Sequence, residues 1–152
     1  MTDFRIIETT VSDKADALMP LLQAHRDELA TAKHLMVLAP NWDAYRALEN
    51  TGSLLALVAY CGEEIAGYSV CFIGAHLHYS GMRYAQNDVL FVAPQHRNGT
   101  LGVRLIRETE RLAKERGARL MMWHAKTGTA LEKIMPRLGF GVQDIVFSKE
   151  II

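Results

Sequence analysis

The chain is poor in cysteine, with only Cys61 and Cys71 among its 152 residues, and it has just four prolines. Both cysteines fall in apolar, strand-like segments with no metal-ligand spacing between them. That pattern points to buried, reduced thiols rather than a disulfide framework. No apolar run approaches the ~20 residues that a bilayer-spanning helix needs. The opening segment MTDFRIIETT lacks the basic and apolar regions of a secretory signal, so a cytoplasmic protein with no membrane partner is expected. An excess of charge is missing too. Seventeen basic residues balance 17 acidic ones, which argues against duplex nucleic acid as a partner, because phosphate binding leaves a basic surplus. No repeat, linker or low-complexity tract interrupts the sequence. A single domain covering residues 1–152 is therefore expected, within the size range of one hydrophobic core.

What the chain does have is apolar patterning, with 49% hydrophobic residues. Phe4 to Thr10 reads as a strand. Ala17, Leu18, Leu21, Leu22, Ala24 and Leu29 recur at helical spacing behind Ser12, which can cap the helix, and Pro20 is expected to kink or divide it. A short helix starts at Asn41 or Trp42 and ends near Gly52. Leu54 to Tyr60, Ile65 to His78 and Met82 to Val92 read as antiparallel strands joined by hairpins. A strong amphipathic helix follows from about Gly99 to Arg116, with Gly102, Leu105, Ile106, Thr109, Leu112 and Ala113 on its inward stripe. Arg119 to Ala125 reads as a strand parallel to the one before the helix. Thr129 can cap a last helix through Leu138, and Phe140 to Ile151 reads as a closing strand. The class is α/β.

The segment Gln95–Gly102, QHRNGTLG, joins an apolar strand to the amphipathic helix. A helix start carries unpaired N–H groups and about half a positive charge, both of which an anion satisfies. Gly99 and Gly102 let the backbone approach phosphate oxygens, and Arg97 supplies a cation. The loop is not a nucleotide P-loop, since no Gly-Lys-Ser/Thr follows. It is not a dinucleotide fingerprint either, because GxGxxG is absent.

Val92-Ala93-Pro94, then Arg97-Asn98-Gly99-Thr100-Leu101-Gly102 at a helix start, and later Leu138-Gly139-Phe140, resemble the signatures of the GNAT superfamily of N-acetyltransferases. The element order matches from Phe4 to Ile151. The resemblance implies a mixed, mostly antiparallel sheet of six to seven strands flanked by about four helices. It implies acetyl-CoA (coenzyme A) as cofactor and direct transfer of the acetyl group to a primary amine, on a small molecule or a protein. A homodimer is a state the resemblance admits. Leu90, Phe91 and Val92 would bind the pantetheine arm, Arg97, Asn98, Gly99, Thr100, Leu101, Gly102 and Val103 the pyrophosphate. Gly128 and Leu131 would reach the pantetheine's other side.

Asp88 precedes Pro94 by six positions, where many relatives carry a carboxylate acting as base or substrate ligand, and Asn87 beside it could orient a water. Tyr84, His124 and Tyr79 are candidates for protonating the leaving thiolate. His76 and His78 share a strand face, a spacing open to a metal but without a third ligand, so no metal site is expected; with Trp42 they are candidates for the acceptor pocket. Two departures stand out. Thr100 occupies the usual first glycine position of the loop, and Met135 stands where many relatives carry the tyrosine proposed to protonate the thiolate. A cofactor-binding module without turnover, or an interaction protein that keeps the fold, are the alternatives those departures raise.

Overall fold

The computed structural model describes residues 3–152, and the elements follow from the patterning. The first strand, β1, is Phe4–Thr9, and a 3-10 turn at Ser12–Lys14 leads into helix α1, Ala15–Leu29. Ser12 does not cap that helix; its backbone and hydroxyl bond the carboxylate of Glu49 instead. Pro20 lies within α1 without ending it, because the apolar stripe around Leu18 keeps the helix docked. Helix α2, Trp42–Asn50, is capped by Asn41, whose side chain accepts the N–H of Ala44 at 3.0 Å.

Strands β2 (Leu54–Cys61), β3 (Glu64–Ala75) and β4 (Arg83–Val92) form an antiparallel meander with β1, and β5 (Leu120–Met122) adds to β4 in parallel. The crossover between β4 and β5 is helix α3, Leu101–Glu115. Helix α4, Ala130–Ile134, is capped by Thr129 and tightens into a 3-10 turn over Met135–Leu138. Gly139 ends it at φ +91°, a backbone region that costs other residues energy.

The single sheet has the order β1-β2-β3-β4-β5. That is five strands rather than the six to seven expected. The missing member is the segment from Phe140 onward, which forms no ladder. It carries strand-forming side chains such as Val142, Val146 and Phe147, but these stay exposed. Its side chains make hydrogen bonds from Gln143 to Met122 Sδ and between Glu150 and His34. A strand is a property of pairing, and this segment has no ladder partner.

The sheet buries both faces. Leu54, Ala56, Val58, Tyr68, Val70 and Phe91 pack under α1 and α2, while Leu57, Ala59 and Ala66 pack against Leu101 and Leu105 of α3. Each fully buried large side chain contributes about 1.5–3 kcal/mol. Between β3 and α3, the hydroxyls of Ser69 and Thr109 satisfy each other at 2.8 Å, both nearly solvent-free.

One glycine sets how closely β3 and β4 approach. A Cβ on Gly67 would lie 2.7 Å from the carbonyl oxygen of Phe91 and 3.3 Å from Cα of Val92. Both obstacles are backbone. Gly67→Ala is therefore expected to cost about 1–3 kcal/mol, read as a lower midpoint in chemical denaturation with an unchanged slope.

Candidate active site

The site begins with a register slip. Along the β3–β4 ladder Val70 pairs with Val89 and Cys71 with Asn87, so Asp88 has no partner and forms a β-bulge. At the same point β5 departs, for it pairs only with Tyr84, Ala85 and Gln86. Asn87 bridges the fork. Its amide oxygen accepts the N–H of His124 at 2.5 Å and its amide nitrogen donates to the carbonyl of His124 at 3.3 Å. The side chain thus stands in for one rung of ladder, and at 5% exposure it is committed to that task rather than to holding a water.

Beyond the fork lies a cleft of about 1030 Å³. β4 forms its floor from Asn87 to Val92, the start of α3 one end, and α4 one side. The second half of α1, with residues 36–40, forms the opposite wall. From Asp88 to Val92, β4 has β3 on one side and no strand on the other. The carbonyl of Phe91 faces β3, against Gly67. By strand alternation the polar groups of Leu90 and Val92 face the open edge, and the Val92 carbonyl there accepts from Arg97 Nε at 2.8 Å.

The end of the cleft is formed by the start of α3. No side chain caps α3 at Thr100, and the first N–H closing a helical bond is that of Arg104, to the Thr100 carbonyl at 2.9 Å. A Cβ at Gly99 would meet nothing within 4 Å, and one at Gly102 only a Val92 methyl at 3.9 Å, so the approach is open. Arg97, however, is engaged. Its guanidinium makes a bidentate pair with Glu28 at 2.8 and 2.7 Å and lies 5.0 Å from the centre of the Phe91 ring. The hydrogen bonds from Arg97 hold the Glu28 carboxyl below the usual range. A phosphate group reaching Arg97 has to compete with that carboxylate.

On the floor, Asp88 opens to the cleft, yet the surrounding walls desolvate its carboxyl enough to raise its pKa. Water in the cleft moderates that rise. Its charge in turn helps raise the phenol pKa of Tyr45 and of Tyr68, in both of which burial is the larger cause. The Tyr68 hydroxyl lies 2.7 Å from Nδ1 of His25, whose ring stacks on Phe91 at 4.6 Å. Burial lowers the His25 pKa to about 4, so at neutral pH this pair carries no charge.

Of the residues singled out from sequence, Asp88, Asn87, His124, Leu90, Phe91, Val92, Arg97, Gly99, Gly102, Val103 and Leu131 line this cleft. Others do not. Leu101 is fully buried in the core beneath α3, and Asn98 and Thr100 are exposed outside the cleft lining. The N–H of Gly128 is taken by the carboxylate of Glu132. Tyr84, Tyr79, His76 and His78 cluster instead at the opposite end of β4. There His76 lies 4.6 Å from Tyr79 and 6.0 Å from Tyr84, ring centre to ring centre. Trp42 packs on Tyr45 at 5.4 Å and on the core. Among the described residues no group of three metal-ligating side chains gathers.

The sequence reading missed His25, Glu28, Tyr68 and Lys126. His25 had a signal, since it interrupts the apolar stripe of α1 between Leu22 and Leu29; the others had none.

The comparisons with known proteins agree on the family and on the fold. The model of the acetyltransferase (GNAT) family matches residues 19–140. The chain belongs to the GNAT acetyltransferase family. It is thus of the N-acetyltransferase kind, and members of the family use acetyl-CoA. No curated protein sequence matches significantly. Among solved structures, an aminoglycoside acetyltransferase from an uncultured soil metagenomic sample superposes with a TM-score of 0.76 at 19% identity, covering 99% of this chain and 98% of that one. A ribosomal-protein-alanine N-acetyltransferase from Brucella melitensis biovar Abortus 2308 gives 0.74 at 17%, covering 98% and 99%. Glucosamine-6-phosphate N-acetyltransferase from Arabidopsis thaliana gives 0.73 at 16%, covering 99% of each chain. At such identities the likeness is one of fold. In this GNAT chain Met135 is 8% exposed and does not line the cleft.

Proposed function

We propose that the protein transfers the acetyl group of acetyl-CoA directly to a primary amine. The observation that carries this reading is the fork itself, which joins an uncapped α3 start, an unpaired β4 edge and a carboxylate in one cleft. The printed names of the solved relatives, which include an aminoglycoside and a glucosamine-6-phosphate acetyltransferase, support an amine acceptor.

Acetyl-CoA supplies an activated acyl group and a thiolate leaving group of pKa about 8.5. The N–H groups at residues 101–103, with Gly99 and Gly102 leaving room, suit its pyrophosphate. The open backbone groups of Leu90 and Val92 suit the amides of the pantetheine arm, and one N–H there can polarise the thioester carbonyl. Asp88 takes a proton from the ammonium form of the acceptor, directly or through one water. The freed nitrogen lone pair forms the C–N bond as the C–S bond breaks, the sulfur leaves with that bond's electrons, and the nitrogen gives up its second proton to water. His124 is the group on the β5 side that can return a proton to the sulfur. The buried thiol of Cys71, its pKa pushed up to about 12 by desolvation, is unsuited to an acyl-enzyme route.

A second reading, cofactor binding without turnover, is favoured by the burial of Met135 at the usual position of the acid. One experiment separates the two. Calorimetry with acetyl-CoA should show binding, and thiol release should rise when an amine is added. Binding without amine-dependent release would leave the second reading standing, and absence of binding would sink both.

A further inference from the structure

The acceptor wall of the cleft is apolar, and it offers a polycation only one unpaired carboxylate. Leu22 and Leu29 of α1, with Tyr45 of α2, supply one part, and Met36, Val37 and Leu38 supply the rest. Met36 is 52% exposed and Val37 74%, side by side at the cleft mouth, beside Leu35 at 56%. An apolar cluster left open at a cleft marks a contact surface for an apolar ligand. It is held in place by polar bonds to its backbone: Arg26 Nε donates to the Met36 carbonyl at 2.7 Å and Arg26 Nη2 to the Lys33 carbonyl at 2.9 Å.

The charged side chains lining the cleft are Glu28, Asp88, Arg26, Arg97 and Lys126. Glu28 is neutralised by Arg97, and Lys126 donates to the carbonyl of Leu29 at the same wall. One unpaired carboxylate, Asp88, remains to meet a cationic acceptor. The other polar groups nearby, His25 and Tyr68, are uncharged and satisfied by each other. Arg26 is paired with Asp27 at 3.1 Å, so a substrate bearing several ammonium groups would meet one unpaired anion, Asp88, and the further cation of Lys126.

Resting on the acetyl-transfer reading, we infer that the acceptor is a small primary amine with a single positive charge and an alkyl or aryl body. Its ammonium faces Asp88 and its apolar part lies along Leu22, Leu29, Met36 and Val37. Polyamines and amino sugars are disfavoured, unlike the acceptors named for the aminoglycoside acetyltransferases that share the fold.

The test is thiol release from acetyl-CoA with butylamine, hexylamine, 2-phenylethylamine, spermidine, the aminoglycoside sisomicin and a short peptide with a free N-terminus. The kcat/KM should rise about fourfold per added methylene from butylamine to hexylamine, and spermidine and sisomicin should fall at least about tenfold below hexylamine. Val37→Glu, at an exposed position that tolerates charge, should lower the hexylamine value about tenfold and narrow the gap to spermidine. A flat response to chain length, a preference for either polycation or for the peptide, or an unchanged ratio in V37E would overturn the inference. So would acetyl-CoA binding with no release for any amine. Calorimetry on the same samples keeps the two levels apart, because loss of acetyl-CoA binding itself would strike the underlying reading first.

Discussion

Asp88→Asn is expected to lower kcat by about 10²–10⁴-fold, the usual worth of a positioned general base, with little change in acetyl-CoA affinity. The side chain keeps its size and the bulge keeps its geometry, so only the proton acceptor is lost. The pH profile gives a second reading. Desolvation raises the Asp88 pKa, so in the wild type the acid limb of kcat should lie above the ordinary carboxylate range, falling as pH drops through the raised value. In D88N that limb should vanish. Stability should move the other way. A carboxyl whose folded pKa is raised is bound more tightly to its proton in the folded state, so its ionised form burdens the fold above the unfolded pKa. The burden is relieved as pH falls through the raised folded value. D88N removes it at neutral pH, so its melting temperature should equal or exceed the wild type's. A wild-type rate in D88N, with its acid limb intact, would dismiss Asp88 as the base.

Gly102→Asp should separate binding from folding. Residue 102 is the second residue of α3, whose start has no side-chain cap. A carboxylate there complements the helix dipole, and the variant without acetyl-CoA should melt about 1–3 °C higher. The same charge would occupy the N–H groups offered to the pyrophosphate. Like charges 4 Å apart at an effective dielectric of 20 repel by about 4 kcal/mol, so acetyl-CoA should bind at least about 100-fold more weakly. Gly102→Asn, similar in size but neutral, should lose far less. Equal losses in both variants would mean that bulk, rather than charge, matters at this position and that the anion lies elsewhere. Calorimetry with a thermal melt on the same preparation reads both halves.

Much of this was legible in the residues because it is local. Helical spacing gave α1 and α3, with Gly117 and Gly139 marking ends. Pro94 marked where β4 stops, and the loop from Gln95 to Gly102 was legible as the junction of a strand with the long helix. What escaped was long-range or depended on a count. Arg97 meets Glu28 across 69 positions and His25 meets Tyr68 across 43, and neither partner carries a local mark of the other. The bulge at Asp88 is one residue of register, which shows only when two strands are laid side by side. The segment after Gly139 misled for the opposite reason, since its side chains favour a strand but a strand needs a neighbour. Tyr84, His76 and His78 were chemically apt but gather at the start of β4, the end away from the cleft, while Trp42 packs on Tyr45 and the core.

The bulge has one more consequence. Every other residue of β4 from Arg83 to Val92 is bound by register to a counterpart on β3, and altering it disturbs a pair; Asp88 alone has none. The position of the proposed base is therefore the position with the fewest obligations to the sheet. Such a site can exchange one chemistry for another by single substitutions, without compensating changes in the scaffold. In the language of evolution, the fold keeps its innovations at the one place where they are nearly free of structural pleiotropy.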